Sequence, residues 1–92
     1  MSEYIEIETE IDDDDLTMRL STNLKLAEEG KEIYDSPEAM EEGSPVAQAL
    51  ALIDGLRRLT IEGSHMVVIR DPDAPWHSIV SDISAALKDF FL

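Results

Sequence analysis

The sequence predicts an α+β fold: a two-layer sandwich, with an antiparallel sheet of about four strands carrying two helices on one face. Three observations lead there. The first residues alternate in polarity with a period of two. In the second half a Gly-Ser pair separates two extended runs. The final stretch carries an unbroken apolar stripe at helical spacing.

Each element follows in order. From Tyr4 to Ile11, Ile5, Ile7, Thr9 and Ile11 share one side, and Tyr4, Glu6, Glu8 and Glu10 share the other. That is the pattern of a half-buried strand. Asp12–Asp15 form an acidic turn. Leu16, Met18 and Leu20 then alternate with Thr17, Arg19 and Ser21, so the two strands read as a hairpin with a loop of about four residues. Glu32–Asp35 reads as a short extended piece, a candidate addition to the sheet. Ser36-Pro37 can cap and open a short helical turn, and Ser44-Pro45 repeats the signal ahead of Val46, Ala49, Leu50 and Ile53 at helical spacing. A helix over about 45–54 follows, with Gly55 as its left-handed terminator.

Leu56–Glu62 and His65–Arg70 flank Gly63-Ser64, a two-residue hairpin loop with glycine first. The simplest register sets Arg57 opposite Arg70. Two facing cations need a counter-charge, and the acidic first half can supply it; a bound anion at Arg57 and Arg70 is the sharper alternative. Asp71–Pro75 turns a corner, with Asp73 as the expected cap of the last helix. There Trp76, Ile79, Val80, Ile83, Ala86, Leu87, Phe90 and Phe91 form one stripe. The order is ββ(β)αββα.

A chain of 92 residues fits a single domain over 1–92. No apolar run reaches the length of a membrane span, and the first residues do not resemble a signal peptide, so a cytoplasmic protein is expected. Charge is lopsided. Residues 1–42 hold 15 acidic and 3 basic side chains, a net of −12; residues 43–92 hold 6 and 4, a net of −2. Such a field disfavours nucleic acid and anionic membranes, and it steers basic partners. The expected partner-binding residues are Glu6, Glu8, Glu10, Asp12, Asp13, Asp14 and Asp15.

The chain has no cysteine, which excludes a thiolate metal site and a thiol nucleophile in the sequence. Asp12–Asp15 lacks the spaced oxygen ligands of a calcium loop, and His65 and His77 share no ligand motif. No metal site is assigned; weak carboxylate binding of a metal such as iron stays as an alternative. No nucleophile elbow or phosphate loop is present, so an enzyme is not expected.

From Ser44 onward the order of parts resembles the N-terminal domain of the NifU-like (Nfu) iron–sulfur scaffold proteins. Ser44-Pro45-Val46-Ala47 matches an SPLA-like helix start, and Ile53-Asp54-Gly55-Leu56 an I-x-G-V-type helix end. His65–Arg70 matches an aliphatic-rich strand, Trp76 a tryptophan opening the last helix, and Ala85–Phe91 a closing A-x-I/L-x-D/E-F-F. The family's T-P-N-P-N-type loop is replaced by Asp12–Asp15, and its L-K-F strand by Thr17-Met18-Arg19-Leu20. In full-length members a separate C-terminal domain holds the cluster-ligating C-x-x-C; this chain, ending at Leu92, is expected to be a stand-alone N-terminal domain. The resemblance implies an accessory role in iron–sulfur cluster assembly through protein–protein interaction. The implied partner is basic, or is a cysteine-bearing iron–sulfur carrier or apoprotein. No cofactor is expected on the chain itself, and iron or a cluster would be met only through that partner.

Overall fold

The computed structural model describes residues 5–27 and 30–91. Its elements are β1 (Ile7–Ile11), β2 (Thr17–Thr22), β3 (Lys31–Tyr34), α1 (Pro37–Glu41), α2 (Pro45–Leu50), β4 (Leu56–Glu62), β5 (His65–Arg70) and α3 (Trp76–Phe91). The strands form one antiparallel sheet in the order β1-β2-β5-β4-β3. The α+β sandwich is therefore as expected, with β3 a full fifth strand at one edge and three described helices rather than two. Tyr4, assigned to the first strand by its alternation, lies outside the described residues.

The period of two decides which face is covered. Met18 and Leu20 of β2, Met66 and Val68 of β5, and Leu59 and Ile61 of β4 are all buried and paired across the ladders. Met40, Val46, Ala47, Leu50, Ile79, Ile83 and Leu87 close over them from the helices. Arg19, Val67, Thr60 and Ile33 occupy the opposite face, which no described helix covers. No polar side chain is buried among the described residues, so the core is held by apolar contact alone.

Both Ser-Pro starts do as their chemistry suggests. The Ser36 hydroxyl accepts from the Ala39 N–H, and the Ser44 hydroxyl from the Ala47 N–H, with proline at the first helical position each time. The expected 45–54 helix stops at Leu50. Beyond it the Ile53 N–H bonds to the Leu50 carbonyl, a tighter turn that sends both Leu50 and Ile53 into the core and leaves Leu52 81% exposed. Asp73 does not cap α3. The Pro75 carbonyl accepts the first helical bond, from Ile79, and Asp71 takes the Asp73 N–H into a turn of its own. The stripe on α3 is as read, with Ile79, Ile83 and Leu87 fully buried.

The second hairpin has the expected limits, but its register changes at the far end. Glu62 pairs with His65, and pairing runs regularly to Arg58 opposite Ile69; then Leu56, not Arg57, faces Arg70. A bulge at Arg57 accounts for it. Leu56 and Leu59 are three apart, out of phase for a plain strand, and the extra residue lets both point inward. Arg57 and Arg70 are thus not cross-strand partners.

β1 is an edge strand, and only Ile7 of its residues is even partly buried. The alternation sets Ile11 on the helix side, opposite Met18, but beyond the helices it stays 46% exposed.

Candidate functional site

The acidic turn is built as a closed loop. The Asp15 N–H donates to the Asp12 carbonyl at 2.9 Å, and the Asp12 N–H to the Thr17 carbonyl at 2.8 Å. Asp15 takes a left-handed conformation, φ 59°, which aspartate tolerates better than most residues. Four neighbouring carboxylates repel one another, so each needs a separate outlet. Asp12 lies 3.5 Å from the Arg19 Nε. Asp14 accepts from the Leu16 and Thr17 N–H groups at 2.9 and 3.0 Å, and from the Thr17 hydroxyl at 3.0 Å. Asp15 meets the Arg70 Nη2 at 2.9 Å. Asp13 alone of the four has no hydrogen bond or ion pair among the described residues. With Glu10, Ile11 and Arg19, the first three aspartates line a shallow recess of about 500 Å³.

Arg70 fastens this turn to the body of the protein. Its backbone N–H donates to the Leu16 carbonyl at 2.9 Å. Its Nε donates to the Asp15 carbonyl at 2.7 Å, and its Nη1 reaches the Asp71, Pro72 and Ala74 carbonyls at 3.3, 3.0 and 2.7 Å. The Trp76 Nε1 donates to the same Asp15 carbonyl at 2.9 Å, and its ring centroid lies 5.5 Å from the Arg70 guanidinium carbon. One guanidinium therefore joins the β1–β2 turn, the end of β5 and the corner before α3. The counter-charge expected for Arg70 from the acidic half is Asp15.

The Leu16 and Thr17 N–H groups hold the Asp14 carboxyl below its ordinary value of 3.8. A lowered pKa in the folded state adds stability that is present above the unfolded value and is lost as pH falls through the folded one. Denaturant midpoints of the native chain and of Asp14→Asn are expected to converge as pH falls below about 4. The comparison cancels the general relief of repulsion that acid brings to so negative a chain. A difference independent of pH would show that the ionised carboxylate adds nothing to the turn.

The other residues singled out by sequence are dispersed. Glu8 and Glu10 lie on the uncovered sheet face of β1, opposite Ser21 and Arg19. The Glu6 N–H, just ahead of β1, donates to the Asn23 side chain at 3.0 Å. Arg57 sits exposed in the bulge, beside a recess shared with Asp35, Arg58 and Ile69, on a different element from the Arg70 network. His65 contacts the Ser21 hydroxyl through Nδ1 at 3.1 Å on the uncovered sheet face, with no third group hydrogen-bonded to the ring among the described residues. His77 is exposed on α3. Among the described residues no three His, Asp or Glu side chains converge to hold a metal ion. No described helix is long and apolar enough to cross a membrane.

The role of Trp76 as a hydrogen-bond donor to the turn was not visible in sequence. Its phase on α3 marks it as core, and only its first-turn position, next to the Pro-rich corner, hints that the indole N–H has a partner outside the helix.

Fold and site together define a small two-layer α+β domain whose most distinctive surface is a fastened, strongly acidic hairpin. The family model described as "Scaffold protein Nfu/NifU N terminal" matches residues 7–92, and the chain belongs to that family. The family's scaffold role links it to iron–sulfur cluster assembly. The fold is similar to that of a NifU-like protein from Saccharomyces cerevisiae, with a TM-score of 0.74 at 20% identity, over 92% of this chain and 76% of that one. It is also similar to protein SAV1430 from Staphylococcus aureus, with a TM-score of 0.70 at 11% identity, over 87% of this chain and 94% of that one. No curated protein sequence matches the chain.

Proposed function

We propose that residues 1–92 act as one non-enzymatic accessory module of iron–sulfur cluster assembly, working in the cytoplasm by binding a protein partner. The partner presents a basic surface and is a cysteine-bearing carrier or an apoprotein awaiting its cluster. Iron or the cluster stays on that partner, because these 92 residues offer no thiolate ligand.

The observation that carries this reading is the fastened hairpin. Asp12, Asp14 and Asp15 are engaged within the chain, so the turn is pre-shaped and a partner need not order it. Glu8, Glu10 and Asp13 remain exposed toward solvent, and Glu10 and Asp13 line one recess with the half-exposed Ile11. Carboxylates bordering one apolar contact suit electrostatic steering followed by a short-range fit.

NMR titration of the isotope-labelled chain with a purified C-x-x-C carrier of the NifU type, apo and cluster-loaded, tests it. Shifts are expected at Glu8, Glu10, Ile11 and Asp13, with affinity falling roughly tenfold between low and physiological salt. The triple charge reversal Glu8→Lys, Glu10→Lys, Asp13→Lys should abolish them. A carrier that leaves the hairpin resonances unmoved at low ionic strength would defeat the proposal.

A further inference from the structure

On the outer side of the helix layer, away from the hairpin, Ala49, Leu52, Ile53, Asp82, Ala86, Asp89 and Phe90 line a groove of about 540 Å³. Two of the four large apolar side chains that the described residues expose stand here: Leu52 at 81% and Phe90 at 44%. Neither is explained by the core. Leu52 falls off the helical phase of Val46, Leu50 and Ile53, and the tight turn after α2 holds it outward. Ala49 and Ala86 are small, which keeps the space between the two ridges open. Asp82 and Asp89 belong to the lining, no cation does, and they lie seven residues apart along α3, so about 10 Å separates them along its axis.

We infer that this groove docks an amphipathic helix of a partner protein, with leucine- or phenylalanine-sized anchors between Leu52 and Phe90. Basic residues about two turns apart on that helix would face Asp82 and Asp89. Charge decides the occupant. A second copy of the chain would bring the same two aspartates and a net −14 against this lining, so self-association is opposed. A lysine-bearing apolar helix meets complementary charge at both ends and an apolar seat between, as helix-in-groove recognition requires. The surface deepens the interaction-module reading and rests on it for purpose, but it shares no residue with the hairpin, so the two can fail separately.

The test uses a synthetic peptide of about four helical turns, with leucines on one face flanked by lysines two turns apart. Beside it run a scrambled peptide of the same composition and a glutamate-for-lysine version. NMR shifts at Leu52, Ala86 and Phe90 are expected with the first peptide, and at least tenfold weaker binding with the other two. Leu52→Asn and Asp82→Lys should each weaken binding about tenfold with an unchanged melting temperature, whereas Glu8→Lys with Glu10→Lys should leave these shifts in place. Equal binding of the scrambled peptide, shifts confined to the hairpin, or a dimer in sedimentation that Leu52→Asn dissolves would each overturn the inference.

Discussion

Replacing Arg70 with methionine is expected to lower stability by about 3 kcal/mol, roughly 15 °C in melting temperature for a domain of this size. The loss follows from the contacts of the guanidinium. The guanidinium donates to four backbone carbonyls and one carboxylate, and its side chain is only 12% exposed. Hydrogen bonds from a charged donor each contribute about 1.5–3 kcal/mol when buried. Several here are solvent-accessible, so their sum is well below that ceiling. Methionine keeps much of the packing volume and removes every donor, which isolates the polar contribution. Arg57→Met, at the exposed bulge, should change stability by less than about 0.5 kcal/mol. The contrast is the useful measurement, because the sequence alone treats the two arginines as a pair. A further readout is the Trp76 indole resonance. It should move in Arg70→Met, since both groups bond the Asp15 carbonyl, and stay in place in Arg57→Met. Equal losses in the two variants would show that Arg70 is not the fastening.

The elements legible in the sequence are those where one physical signal acts alone. Ser-Pro at both helix starts, the Gly63-Ser64 loop and the stripe of α3 each pair a backbone demand with a residue that meets it. The structure departs from the sequence pattern where two demands compete. Helical spacing carries α2 on to Ile53, but burying both Leu50 and Ile53 in so short a space favours a tighter turn. Strand alternation gives a plain register for β4 until Leu56 and Leu59 both have to point inward, and the bulge settles that conflict. The out-of-phase Leu56 and Leu59 were a readable sign of it, as was Leu52 off the helical stripe. For the candidate site, the acidic run was plain from sequence, but the division of labour within it was not. Which aspartate binds a guanidinium, which binds backbone N–H groups and which stays in solvent depends on Arg70 arriving from 55 residues away. Spacing carries no trace of such a contact.

Gly55→Ala should cost at least as much as the loss of Arg70, about 3 kcal/mol, for two reasons that can be separated. Gly55 has φ 88°, where a Cβ is strained, and an added Cβ would stand 2.3 Å from that of Ala74. Gly63 offers the control. It has φ 61° with nothing within 4 Å of an added Cβ, so Gly63→Ala carries only the conformational cost, about 1–2 kcal/mol. The excess at Gly55 then measures the close approach. That approach has a purpose beyond packing. The Gly55 carbonyl accepts the Asp71 N–H at 2.7 Å, and Ala74, pressed against Gly55, offers its own carbonyl to Arg70. Pushing Ala74 away displaces one of the acceptors that aim the guanidinium at Asp15. Gly55→Ala should therefore perturb the amide resonances of Asp14–Thr17, on the far side of Arg70, whereas Gly63→Ala should leave them in place. Combined with Arg70→Met, Gly55→Ala should cost less than the sum of the single changes, because both break the same connection. Full additivity would mean that the glycine shapes only its own turn, and that the acidic hairpin keeps its form without it.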